Sequence, residues 1–218
     1  MLLGSMQNQL AALYDTPLDY RVADFLITDA TLAAALHGGD NCHSQHNSER
    51  VLLQQNSDCL DLSLYIDASV LSTLDAHDPY AELNTENLND FLIALEGVSH
   101  FNYIVWNAVH EREISQLELE IQAEVDKYIH VMMLIDAQGK NVAALEFHHA
   151  LFEGVQFDVS GGVLREQRYR AANRYAGKYC RHLNQRFPGQ HREASFMNEI
   201  RRFYRLPQQQ KIRSIDPH

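Results

Sequence analysis

The stretch ALEGVSHFNYIVWNAVHEREISQLELEIQAEVDKY, residues 94–128, decides how this chain is read. Gly97 falls where a helix over 86–96, capped by Thr85, would close. The following HFNYIVWNAVH, residues 100–110, is dense in aromatic and β-branched side chains with apolar groups on both faces, which predicts an interior strand. The second half has helical spacing. Leu117, Ile121, Val125, Tyr128, Ile129 and Met132 fall within an arc of roughly 120°, so an amphipathic helix is predicted over about 116–135.

Four acids stand in that helix, and the question is whether they are chemistry or local structure. Ser115 and Glu118 have capping-box spacing, and Ile114 and Leu119 occupy the positions of a hydrophobic staple. Glu120 suits the N-terminal half of the helix dipole, and Glu124 can pair with Lys127 at i, i+3. Glu120 and Glu124, four residues apart, repel each other. Cap chemistry and a solvated face are therefore the first expectation for these acids.

Outward from this stretch, TPLDYRVADFLITDATLAAAL predicts a helix from Thr16 to the Gly38–Gly39 pair. Residues 51–55 and 60–67 flank the turn residues NSDC, and the second run alternates Leu60, Leu62, Leu64 and Ile66 with polar neighbours, as a hairpin strand does. Further helices are expected over 68–76, 141–153, 163–186 and 193–204, with a last turn or two after Pro207. The predicted class is α+β, mainly helical, with a small antiparallel sheet of about three strands made from the hairpin and the 100–110 segment.

With 45% hydrophobic and 22% charged residues the composition is that of an ordinary globular chain. Its net charge of −11 is unevenly spread. Residues 1–162 carry five Lys and Arg against 25 Asp and Glu, a balance of −20, whereas residues 163–218 carry 13 against four, a balance of +9. An acidic α+β body over 1–162 and a basic helical section over 163–218, packed on it as one domain, is the expected organisation. Three cysteines without CxxC spacing argue against a disulfide framework and for a reducing, cytoplasmic setting. No apolar run is long enough for a signal peptide or a membrane span, so no membrane insertion is expected. The GSM at 4–6 allows residues 1–5 to be a cloning remnant.

The chemistry-bearing candidates fall into two groups. Arg165, Arg168, Arg174, Lys178 and Arg181 are interleaved with Tyr175 and Tyr179, and Arg201 and Arg202 follow. Basic residues among aromatics can grip a phosphate backbone and stack on bases, or meet an acidic protein surface. Glu120 and Glu124, with Glu146, His149 and Glu153 of EFHHALFEG, offer metal-ligand types, and E-x-x-H is half of a helical-bundle di-iron motif whose second half is missing. Cys42, His43 and His46, with His37 and Asp40, offer zinc-ligand types in a loop without the paired half of a zinc module. No GxSxG, P-loop or GxGxxG occurs.

These features favour a cytoplasmic interaction or adaptor protein over an enzyme, its basic helices contacting a protein partner or a second copy of the chain. A nucleic-acid-associated protein using the same helices is the first alternative. A divalent-metal enzyme built on the carboxylates and histidines is the second, and it requires two helices to bring those groups together; the leading reading needs no cofactor.

Overall fold

The computed structural model describes residues 2–36, 48–55, 60–140, 142–154 and 162–216. The class is the one expected, α+β and mainly helical with a small sheet. Nine helices are present among the described residues: α1 (Leu2–Tyr14), α2 (Ala30–Leu36), α3 (Ala68–Ala76), α4 (Leu88–Val109), α5 (Gln116–Ala137), α6 (Ala144–Phe152), α7 (Val163–Arg186), α8 (Ala194–Arg205) and α9 (Gln208–Ile215). Three strands, β1 (Leu26–Ile27), β2 (Glu49–Gln55) and β3 (Leu60–Ile66), form a sheet of order β1-β3-β2.

The 100–110 segment is not a strand. It is the C-terminal half of α4, which runs unbroken through Gly97. Its β-branched and aromatic residues are buried on nearly every side because α4 lies between the sheet, α1, α3 and α5. A short apolar run of this kind fits a buried helix as well as a buried strand, and tertiary packing decides. Gly97 does not end the helix. It is where the sheet presses on it: a Cβ there would stand 2.9 Å from Glu49 Cγ and 2.9 Å from Leu64 Cδ1.

The hairpin forms as predicted in its strands, antiparallel with Glu49 opposite Ile66 and Val51 opposite Leu64; its turn, 56–59, lies outside the described residues. The third strand is β1, parallel to β3, so the sheet is mixed and not purely antiparallel. The helix expected from Thr16 is therefore interrupted. Gln7 of α1 accepts a hydrogen bond from the Val22 amide and donates one to the Tyr20 carbonyl. Leu64 donates its amide to the Phe25 carbonyl. These bonds take backbone groups that a helix would have used, leaving one 3₁₀ turn at Val22–Asp24, the strand, and a helix restarted by Asp29, whose carboxylate accepts from the Thr31 and Leu32 amides.

α1 is a helix that the sequence reading did not anticipate. Leu3, Met6, Leu10, Leu13 and Tyr14 enter the main core, so residues 2–5, allowed above to be a remnant, supply the helix's first turn. α1 packs on α4 and α8, α5 packs on α4 and α7, and the sheet is laid on α4. Opposite residues of paired strands share a face. Glu49 therefore lies on the side of Ile66 and Leu64, which face the helical core, while Leu52 and Tyr65 meet Ala33 of α2 on the other side.

α5 is the central helix and is more deeply buried than an amphipathic stripe implies. Glu118, Glu120, Gln122, Asp126 and Lys127 are all interior. The solvated acidic face expected there does not exist. The Ser115 cap forms, its Oγ accepting from the Glu118 amide at 3.0 Å, but the Glu118 carboxylate turns to Arg112, Tyr103 and the Gln208 amide.

Candidate metal centre

Two of the sequence candidates, Glu120 and Glu124, lie one turn apart on the face of α5 that meets α4 and α7. On α4, Glu96 and His100 have the same i, i+4 relation and face them. β2 adds Glu49 across Gly97. A strand and two helices thus bring four carboxylates and an imidazole together, with Lys127 and, from α7, Arg168 beside them.

His100 is at the middle of this group. Its Nδ1 stands 3.4 Å from Glu49 Oε1 and its Nε2 3.6 Å from Glu120 Oε2. The residue is 5% exposed, and Nε2 has no hydrogen-bond partner among the described residues. A buried polar atom without a partner is costly and rare. Arg168 Nε, 3.8 Å from Glu120, is also buried and unbonded, although Arg168 reaches Gln116 Oε1 at 2.6 Å through another nitrogen. One donor atom from each of Glu49, Glu96 and His100 lies within 4.8 Å of the others. Neighbouring ligands on a first-row divalent ion with bonds of about 2.1 Å are about 3.0–3.4 Å apart, and His100 Nδ1 and Glu49 Oε1 already stand 3.4 Å apart.

Electrostatics reflects the crowding. Burial pushes Glu49 up, and His100 only partly offsets it. Burial likewise raises Glu124 despite Lys127. At Glu96 burial acts the same way, but the Lys127 ammonium and His100 outweigh it and hold the carboxyl below its ordinary range. His100 is pushed well above 6.5 because Glu120 and Glu49 overcome the burial that would lower it. The Lys127 ammonium donates to Glu96 at 2.9 Å and to Glu124 at 2.7 Å, and burial notwithstanding these partners raise it.

The other metal candidates do not join. Glu146 and His149 lie on α6 and Glu153 caps its C-terminal end; His149 is 3.4 Å from Glu153, and Glu153 also receives Arg181 at 2.7 Å, all of them exposed. The buried histidine of that helix is His148, whose Nε2 bonds the Gly177 carbonyl at 2.7 Å. Cys42, His43 and His46, with His37 and Asp40, lie outside the described residues. Glu49 and Glu96 were not singled out from the sequence, and His100 was read as a strand residue, which hid the E-x-x-x-H spacing of Glu96 and His100.

Most of the basic candidates are engaged within the chain. Arg181 pairs with Glu153, Lys178 with Asp216 at 2.9 Å and Arg202 with Glu199 at 2.7 Å, and Arg201 donates to the Leu13 carbonyl at 2.9 Å. Arg165 lies over the Tyr169 ring and Arg174 over that of Tyr175. Tyr179 is buried, its ring stacked 3.7 Å from Phe203. No helix among the described residues is long and apolar enough to cross a membrane. No family model, curated protein or solved structure matches the chain.

Proposed function

We propose that this protein is a metal-dependent enzyme whose centre is held by Glu49, Glu96 and His100, with Glu120 on the far side of the imidazole. The observation that carries this reading is the juxtaposition itself: one donor atom from each of Glu49, Glu96 and the buried His100, brought from β2 and α4, lies within 4.8 Å of the others. Buried ion pairs contribute little stability against well-packed apolar groups unless their bonding is complete. Four glutamates around an imidazole whose own contacts are 3.4 and 3.6 Å long are poor stabilising material and good ligand material. A carboxylate facing the ring nitrogen that does not bind metal is a common arrangement around metal-bound histidine.

Carboxylate oxygens with one imidazole suit Mn²⁺ or Fe²⁺ better than Mg²⁺ or Ca²⁺, which take oxygen alone. Such an ion polarises a bound oxygen ligand or lowers the pKa of a bound water. The adaptor and nucleic-acid readings draw less support, because the basic helices largely find acceptors within the same chain.

Metal analysis after dialysis against Mn²⁺ or Fe²⁺ and removal of loose ions tests the proposal. Wild type should retain one ion per chain, and His100→Ala and Glu96→Gln should retain less than a tenth of that while keeping the helical circular-dichroism spectrum. Equal retention by wild type and both folded variants, or none by wild type, would refute it.

A further inference from the structure

Glu96 stands between two groups. On one side it offers an oxygen to the group formed with Glu49 and His100. On the other it accepts from Lys127 Nζ at 2.9 Å, and the same ammonium is bound at 2.7 Å by Glu124. In dinuclear carboxylate centres a shared carboxylate lies between two ions about 3.5–4 Å apart, with further carboxylates outside. Here Glu96 is shared in a comparable way, between the group it forms with Glu49 and His100 and an ammonium that Glu124 also binds. Glu49 and His100 flank one position, Glu124 flanks the other, and Glu96 serves both.

We infer that Lys127 is a built-in second cation, placed where the second ion of a dinuclear centre would sit, so that the centre accepts one metal ion and not two. The inference rests on the metal reading above and specifies it. Lys127 is a positioning residue on this account. Its ammonium neutralises Glu96 and Glu124 at hydrogen-bond distance and holds Glu96 at a fixed place for the first ion. It has no coordination positions of its own and cannot activate a water or clamp a leaving group. The reaction therefore belongs to the one-metal class, in which a single ion polarises or activates its ligand, and not to the class in which two ions hold the attacking and leaving oxygens of an in-line displacement.

The position is defined by packing as well as charge. Lys127 is buried in the body of α5, 8% exposed. Its aliphatic stem has little room to swing away, and the Glu124 that it binds is one helical turn earlier on the same helix. Removing the amine leaves two partly buried carboxylates facing each other, which favours uptake of protons or of a cation.

Mn²⁺ stoichiometry of wild type, Lys127→Ala and Lys127→Met, by equilibrium dialysis with metal analysis, tests the inference. Wild type should bind one ion, with the electron paramagnetic resonance of an isolated Mn²⁺. The Lys127 variants should bind two with an exchange-coupled spectrum, and adding Glu124→Gln to Lys127→Ala should return the count to one. Lys127→Met preserves the stem's volume, so that at least one uncharged variant folds. One ion or none in a folded Lys127 variant, with one in wild type, overturns the inference and leaves the metal reading intact. No ion in wild type overturns the metal reading itself.

Discussion

Adjacent residues of α4, Ser99 and His100, reach into two different polar interiors. Ser99 enters a network in which the principal groups are well bonded. Asp126 accepts from Tyr14 Oη at 2.5 Å, Ser99 Oγ at 2.6 Å and Gln122 Nε2 at 2.7 Å, and Gln122 in turn accepts from the Lys211 ammonium at 2.7 Å. Lys211 also donates to the Phe203 carbonyl at 2.7 Å. His100 enters a group in which the imidazole contacts are 3.4 and 3.6 Å and one nitrogen is unbonded. α5 contributes to both, Asp126 and Gln122 to the first and Glu120, Glu124 and Lys127 to the second. The chain can build a closed buried network, and it does so one residue away from an open one. The closed network ties α1, α4, α5 and α9 together as structure, whereas the open one is poorly explained by stability.

The sharpest way to break this comparison is Asp126→Leu. Tyr14, Ser99 and Gln122 would lose their shared acceptor in the core, at a cost of about 3–5 kcal/mol. Denaturant unfolding should register that cost for Asp126→Leu and a change of less than about 1 kcal/mol for Glu124→Gln, which relieves carboxylate crowding. Equal losses would mean that the two interiors do the same job.

His130, further along α5, gives a pH test. Its Nε2 lies 3.0 Å from the Tyr80 hydroxyl among aromatic rings, and burial pushes its pKa down to about 4 from 6.5. Between those values the unfolded chain binds more protons than the folded one, so this residue makes stability fall as pH drops from 6.5 to about 4, by about 3 kcal/mol in all. Asp126, raised by burial to about 6 from 3.8, acts in the opposite sense across 3.8 to 6, because there the folded state holds the extra proton. The quantity to measure is therefore the pH slope of stability in wild type minus that in His130→Phe, where the Asp126 contribution cancels. Parallel slopes would show that His130 does not lose its proton on folding.

Gly97→Ala should act more on the centre than on the fold. The new methyl would meet Glu49 and Leu64, and the gain in helix propensity offsets part of the overpacking, leaving a net cost of about 1 kcal/mol. Displacing Glu49 should weaken metal binding about tenfold. An unchanged affinity would place Glu49 outside the ligand set. The smallest effect belongs to the surface: Glu153→Ala, which frees the exposed Arg181, should shift stability by less than about 1 kcal/mol, and a larger loss would give the α6–α7 charges a structural weight that their exposure argues against.

What could be read from sequence divides along the same line. The hairpin strands, the Ser115 cap and most helix positions followed from local spacing. α4 did not, because Gly97 and the run FNYIVW each have a local meaning that the packing overrides: the glycine makes room for Glu49, and the β-branched residues are buried in a helix. That misreading also hid the centre. Glu120 and Glu124 were visible as an acidic pair, but as a strand residue His100 has no i, i+4 relation to Glu96, and Glu49 is far away in sequence. Only the β2–β3 register and the contact of the sheet with α4 bring it in. The alternation of bonding between the two faces of α5, with Glu118, Gln122 and Asp126 on one and Glu120, Glu124 and Lys127 on the other, is not encoded in residue type at all.

The most direct test of the central claim is a crystal structure of Mn²⁺-equilibrated protein with anomalous data collected near the manganese edge. The account predicts one anomalous peak within about 2.3 Å of oxygens of Glu49 and Glu96 and of an imidazole nitrogen of His100, with Lys127 still bridging Glu96 and Glu124. Well-ordered side chains at these positions with no anomalous peak among them, at saturating Mn²⁺, would contradict it.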